Sequence, residues 1–584
     1  MKMKTKILYI TGLILSLIVI NSCNDDEFLQ ENPTTFFTLE NSFNTVSQVQ
    51  SSVTNMYLHI RYWYQQDYFM KGVGTDYLDA PYWRSSGSGT SNFSLWSSEY
   101  GSVLNIWNAF YQLVSFANQT LEGTESENFT WDDDNEYNYV IAQSKFFRGY
   151  AYMTLGELFG GVPLVKELYT YPKYDFVRST REETYLYAIE NLREALIGMP
   201  DFPSEAGRIA KGATYHFLAE SFMALATELG NNRAYLDSSI AYATKAIQLH
   251  SLMTTRFGSR ATFGAAPALN GVDAYYPDGD VFFDLFQRGN LDYEEGNTEA
   301  LWTLENDYEI YQTYQDGSFL GYPRNISPVF RDANWDAAHK ETNASPWPSQ
   351  IDAYVGGRGV SFLAPTDYIK SKIWEGEFWN DMRNSPANIR RDFICTDPAS
   401  SYYGDTVTID MLDPTKLERL YPIWTKFAPV DDWGYEDLEG GGNRSNMYRD
   451  DYALRLAETY LLRAEAYFRE NSNAQAAADI NVLRNRAQCT HLIADADVSL
   501  DMILAERARE LFVEERRWCT LLRMGGSVAV DQIGKYSYYA GTENEFYQGV
   551  SAVPSGWNLF PIPQRAIDSN LDAVLEQNPG WTGK

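Results

Sequence analysis

The 584-residue chain predicts a mostly α fold, in which tetratricopeptide-like helical hairpins form a superhelical scaffold interrupted by a long, irregular, loop-rich excursion. Three observations carry this. Between Asp451 and Met524 apolar residues recur three and four apart, as at Leu454, Ala457, Leu461, Ala464 and Phe468, which lays one apolar stripe along a helix. A second, Ala-rich stripe of Ala477, Ile480, Leu483 and Ala487 follows a polar break at 471–473. Two such helices joined by a short turn make a hairpin whose small residues permit close packing. From Arg260 to Asp450, by contrast, the helical period fades and Gly, Pro and aromatic residues take over.

Taken in order, the chain opens on Lys2, Lys4 and Lys6. A largely apolar run over 7–20 follows, shorter than the ~20 residues a spanning helix needs. It ends Ile20-Asn21-Ser22-Cys23. Residues 1–22 read as a secretory signal, and the small Ser22 before Cys23 marks Cys23 for lipidation. An ordinary signal with an incidental cysteine is the plainer alternative. Helices are expected over 41–57 and 104–122, and from Asp132, Asp133 and Asp134, where acids suit the positive end of a helix. The last of these ends at Gly160-Gly161, and Pro163 bars its continuation. Ser179 or Thr180, three residues before Glu182 or Glu183, has capping-box spacing. Ala210–Leu229 and Tyr235–Leu249 form a second hairpin. Near the C-terminus one further helix is expected to carry Leu504, Ala508, Leu511, Trp518 and Leu522 on one face. Glu506, Arg507, Arg509, Glu510 and Glu514–Arg517 lie between them. Alternating charge beside an apolar stripe points to an ion-pair network that locks the helix in place, not to an active site.

Composition narrows the function. The net charge of −31 argues against nucleic acid and anionic lipid headgroups as partners. Aromatic content of 15%, led by 42 tyrosines, suits stacking on flat apolar faces such as sugar rings, although large cores use aromatics too. Cys23, Cys395, Cys489 and Cys519 form no CxxC pair or dense framework, so the fold does not lean on disulfides. The five histidines have no metal-ligand spacing, and no HExxH, GxSxG or Walker loop occurs. The two carboxylates of a glycosidase would not show in sequence. Asp273, Asp278, Asp280 and Asp284 offer the oxygens calcium wants, but loop acids are more often simply solvated, so no cofactor or metal is expected.

Several segments resemble one family. They are DYALRLAETYLLRAEAYFRE, INVLRNRAQ, ERARELFVEERRW and LLRMG in the C-terminal region, RGYAY followed by FGGVPL at 148–164, and the closing FPIP and QNPGW. Together they resemble the SusD/RagB family of nutrient-binding outer-membrane lipoproteins of Bacteroidetes. Glu515-Arg516-Arg517-Trp518 departs from the family's usual Gly-His-Arg-Trp ending, and Cys519-Thr520-Leu521 from its Phe-Asp-Leu. The resemblance covers nearly the whole mature chain and is weakest between Arg260 and Asp450. It divides the chain into a signal (1–22), an N-terminal helical region (23–260), a variable loop-rich excursion (261–450) and a C-terminal helical region (451–584), with 23–584 as one globular unit.

The resemblance implies a non-enzymatic, lipid-anchored outer-membrane protein facing the exterior. Such a protein captures an oligosaccharide and passes it to a SusC-like TonB-dependent transporter. The alternative is a RagB-like lid that binds oligopeptides, and less readily a surface glycosidase. The ligand platform is placed by region. Tyr82, Trp83, Arg84 and Trp96 come from the Gly/Ser-rich loop 71–101, with Trp335 and Trp347 from the excursion as second choices. An aromatic ring can cover the apolar face of a pyranose while polar neighbours meet its hydroxyls. Of the seven excursion tryptophans, Trp302, Trp335, Trp347, Trp374, Trp379, Trp424 and Trp433, most are expected in the core and a few on a binding face.

Overall fold

The structure is a computed structural model. It describes residues 43–66, 71–80, 96–258, 279–306, 322–328, 360–391, 393–394, 406–407, 421–427, 449–536 and 558–581. Among the described residues, six long helices make the N-terminal region: α1 (Val46–Gln66), α2 (Gly101–Thr124), α3 (Asp134–Phe159), α4 (Arg181–Gly198), α5 (Lys211–Glu228) and α6 (Arg233–Leu249). α1 buries Val49, Val53, Met56, Ile60 and Tyr64, one helical stripe, and runs further than the 41–57 expected. α3 begins where the Asp133 side chain accepts from the Asn135 amide and ends where Gly160 adopts φ +79°. Thr180 and Glu183 form the expected capping box on α4. Each helix packs on the next, from α1 to α6. α3 and α4 meet closely because Gly149 and Gly156 lie in the seam, where a Cβ would come within 2.8 Å of Leu192 and of Tyr185.

The C-terminal region departs from the sequence reading at two points. Asp451–Arg455, including Leu454, is a strand rather than the first turn of a helix. It pairs antiparallel with Ala300–Leu304. The helix that follows, α7 (Leu456–Arg469), forms the expected hairpin with α8 (Asn473–Arg486), and α7 also packs on α6. The last long helix is broken in two, α9 (Leu500–Leu511) and α10 (Arg517–Arg523), followed by α11 (Val528–Tyr536). Val513 in the break has φ +67°, unusual for a β-branched residue.

Between the two halves, strands are short. β1 (Leu78–Asp79) pairs with β3 (Ala364–Pro365), β2 (Ala300–Leu304) with β6 (Asp451–Arg455), and β4 (Ile389–Arg390) with β5 (Ile423–Trp424). β2 delivers Trp302 into the helical core, where it meets Phe146, Phe147, Tyr150 and Phe217 edge to face. The excursion is thus stitched into the scaffold at both ends. Cys489 and Cys519 are buried free thiols. No helix among the described residues is long and apolar enough to cross a membrane.

Candidate functional site

The charged run of α9 and α10 forms an ion-pair network inside the protein, as the sequence suggested. Glu506 accepts from Arg383 (2.8 Å), Arg484 (2.9 Å) and Arg509 (3.0 Å). Glu510 accepts from Arg383 (3.0 Å), Arg455 (3.2 Å) and Arg486. Burial alone would raise these carboxyls, but the guanidinium groups around each outweigh it and hold both well below the usual carboxylate range. Glu515 binds Arg507 (2.6 Å) and Arg517 (3.0 Å), and Arg516 reaches Glu157 (3.1 Å) and Glu220 (2.6 Å). His216 sits against Thr459 at 2.9 Å, and burial pushes it down to about 3, so it stays neutral. These groups are enclosed and paired with one another, and they hold the elements together.

What the network holds is the base of the loop nominated for ligand contact. Arg517 donates to Asp76 through Nε (2.9 Å) and Nη2 (2.5 Å), Trp518 Nε1 donates to the Val73 carbonyl (2.9 Å), and Tyr77 donates to Glu515. At the other end of that loop, Trp96 packs on Trp518 and Phe560 with ring centroids 5.5 and 5.3 Å apart. Both stems of segment 81–95 therefore rest on α10. The excursion joins the same place. Val360 N donates to Arg324 O and Ser361 N to Ser327 O, which closes the two stems of segment 329–359 on each other. The strand that follows, β3, pairs with β1, and Thr366 N donates to Tyr77 O at 3.0 Å. Two stretches far apart in sequence thus leave the scaffold side by side.

Tyr82, Trp83, Arg84, Trp335, Trp347 and Cys23 lie outside the described residues, and the structure brings together the stems that carry the first five. Trp96 is a correction. It is 2% exposed, enclosed by Trp518, Phe560 and Tyr100, and has no face to offer a ligand. An apolar ring between two Gly/Ser-rich stretches reads alike in sequence whether it anchors the loop or tips it. Among the excursion tryptophans, Trp302, Trp374 and Trp424 are buried and Trp379 is exposed, while Trp433 is outside the described residues.

Two of the four acids considered for calcium are otherwise engaged. Asp280 caps the turn at 281–284 and accepts from Asn388, and Asp284 pairs with Arg256; Asp273 and Asp278 lie outside the described residues. A different trio converges: Asp292, Glu305 and Asp450 bring carboxylate oxygens within 4.8 Å of one another. Burial, then each other's charge, pushes Glu305 up to about 9 and Asp450 to about 8; Asp292 rises to about 6, mainly by burial. Sequence could not show this group. The β2–β6 ladder ends with Leu304 opposite Asp451, and that register sets Glu305 beside Asp450. Oxygen donors of this kind suit a hard cation, and without one the trio keeps protons. Elsewhere, α1, α3 and residues 204–208 enclose a polar groove of about 460 Å³, lined by Gln50, Thr54, Glu136, Tyr139 and Arg208 among others.

With this geometry in hand, comparisons with known proteins define the class. A family model described as "Starch-binding associating with outer membrane" matches residues 27–223, and one described as "SusD family" matches residues 425–581. A SusD-like protein of Formosa agariphila is 23% identical over 553 residues, covering 88% of this chain and 90% of its own. A SusD homolog of Bacteroides thetaiotaomicron superposes with TM-score 0.66 at 18% identity, covering 93% of this chain and 98% of the other. Surface glycan-binding protein A of the same organism, solved with laminarihexaose, superposes with TM-score 0.64 at 18% identity, covering 91% and 99%. The helical scaffold is shared with these solved structures. The chain belongs to the SusD family.

Proposed function

We propose that the protein is a non-enzymatic, lipid-anchored outer-membrane receptor. It captures oligosaccharide at the cell exterior and hands it to a SusC-like TonB-dependent transporter. The single observation that supports this most is the joined stem. Two aromatic-bearing segments, with Tyr82 and Trp83 on one and Trp335 and Trp347 on the other, leave the scaffold from one small sheet whose base is held by the buried charge network. A rigid base under ring-bearing segments is what a carbohydrate platform requires, since affinity from stacking is lost if the rings must first be ordered. The surface glycan-binding relative solved with laminarihexaose supports the same ligand class. Anchoring follows from Cys23 after the short apolar run.

Calorimetry against laminarin, starch and a peptide panel tests the reading. Saturable heat with at least one glycan and none with peptides is expected; peptide binding alone would replace it with the oligopeptide-binding alternative. Hydrolysis products from any bound glycan would contradict the non-enzymatic assignment. For the anchor, Cys23→Ala should abolish fatty-acid labelling and release the protein from membranes; persistent labelling would refute it.

A further inference from the structure

Trp379 is the one tryptophan among the described residues that stands largely in water, with 58% of its surface exposed. It belongs to a 3-10 turn, Gly376–Asn380, inside the excursion. Its position is built. Arg391 lies over the indole at 5.2 Å from the ring centre. Asn384, buried, fixes both partners: its Nδ2 donates to the Trp379 carbonyl at 2.9 Å and its Oδ1 accepts from Arg391 Nη2 at 2.5 Å. The segment is anchored in turn. Met382 N donates to the Ala487 carbonyl at the end of α8, and Arg383 is sunk into the network between Asp381, Glu506 and Glu510. A ring with a guanidinium over one face can be this exposed only if its other face and edge are open. Exposing that much apolar surface is unfavourable, and here it is held in place, not left on a loose side chain. Glu377, two residues earlier, and His491 pair at 2.5 Å with both side chains about half exposed or more. Glu377 thus brings a carboxylate to the same turn, and His491 packs on Phe378 with ring centroids 5.3 Å apart.

We propose that Trp379, backed by Arg391, is a second carbohydrate shelf. It takes the apolar face of one pyranose ring of a glycan chain. The shelf is anchored on α8 and the charge network through Met382 and Arg383, and it rests on the glycan-binding reading of the protein. Arg391 and Asn384 hold the turn and the ring in place, so the open face is presented at little ordering cost.

The test uses affinity electrophoresis and calorimetry on the full mature chain with laminarin and starch. On whichever polymer retains the wild type, Trp379→Ala should weaken binding about three- to tenfold, the range of one aromatic stacking contact. Trp379→Phe should keep most of the affinity, and Arg391→Ala should fall between. Melting temperature should stay within about 1 °C of the wild type for both Trp379→Ala and Trp379→Phe, so that a loss of binding in Trp379→Ala cannot be assigned to unfolding of the turn. Wild-type affinity in Trp379→Ala overturns the shelf. If that variant keeps glycan binding but loses association with a transporter, the surface is a protein contact and the proposal is also overturned. A Tyr82→Ala/Trp83→Ala variant separates the two readings. Weak binding there with normal binding in Trp379→Ala rejects the shelf alone, whereas a wild type retained by neither polymer rejects the glycan reading and the shelf together.

Discussion

Phe378 and Trp379 are neighbours on one turn, and each has an arginine over its ring. Arg509 stands 3.7 Å from the centre of Phe378, and Arg391 stands 5.2 Å from that of Trp379. Their surroundings differ. Arg509 is buried, shares Glu506 with Arg383 and Arg484, and donates to the Ile373 carbonyl. Trp379 faces water. The same pairing of cation and ring is therefore cement on one side of the turn and an open surface on the other. What decides is whether the remaining faces are covered. In the interior every charge must be matched, because an uncompensated charge there costs several kcal/mol. At the surface water does the matching, and a ring can be left for a ligand.

The widest gap between the two regions should appear on removing a network carboxylate. Glu510→Ala removes a carboxylate shared by Arg383, Arg455 and Arg486, leaves excess buried positive charge, and should cost about 3–5 kcal/mol, read by denaturant unfolding. A variant with unchanged stability and lost glycan binding would instead place a ligand site in the network.

Acid sharpens the contrast next. Glu506 and Glu510 have depressed values in the folded state. The stability they contribute is complete well above the unfolded glutamate value of about 4.3. It is lost as pH falls from about 5, at up to roughly 1.4 kcal/mol for each carboxyl per tenfold rise in acidity. The trio of Asp292, Glu305 and Asp450 has the opposite sign. Raised folded-state values, to about 6, 9 and 8, give stability that is fully present in acid and lost as pH rises through them. Melting temperature should therefore climb from pH 9 to about 6 and drop below about 5. A profile flat between pH 6 and 9 would refute the alkaline limb.

At the platform, Tyr82→Ala and Trp83→Ala should each weaken glycan binding by ~1 kcal/mol or more with little change in stability. Normal binding by both would move the platform to Trp335 and Trp347. Asp450→Asn keeps an acceptor for the Asn306 amide and removes one like charge, so melting at pH 8 should rise by about 1–2 °C, and its acid limb should match the wild type. A fall in melting temperature at pH 8 would show that the Asp450 charge is needed there. Least of all should Lys535→Ala matter: its pair with Asp501 is exposed on both sides, and the expected loss is under ~0.5 kcal/mol by thermal unfolding.

Much of this was legible because it is local. Helix periodicity, the Thr180–Glu183 cap, the Gly160 stop and the 211–228/233–249 hairpin depend on residues within one or two turns of each other. So did the structural character of the Glu506–Arg517 run, whose alternating signs beside an apolar stripe leave little room for anything but pairing. Three things were decided only by tertiary contact. Leu454 reads as helical by spacing, yet pairing with β2 draws Asp451–Arg455 into a strand. The run through Leu511 and Trp518 reads as one helix, but it breaks at 512–516. There Tyr77, Asp76 and Val73, more than four hundred residues away, claim Glu515, Arg517 and Trp518. Trp96 and Trp379 each sit in Gly- and polar-rich chain; one fills the core and the other stands in water, because Trp518 and Phe560 enclose the first while Arg391 covers one face of the second. Periodicity reports which face of an element is apolar. Which distant element arrives to cover that face is a property of the assembled chain, and it determined where rings were buried and where one was left exposed.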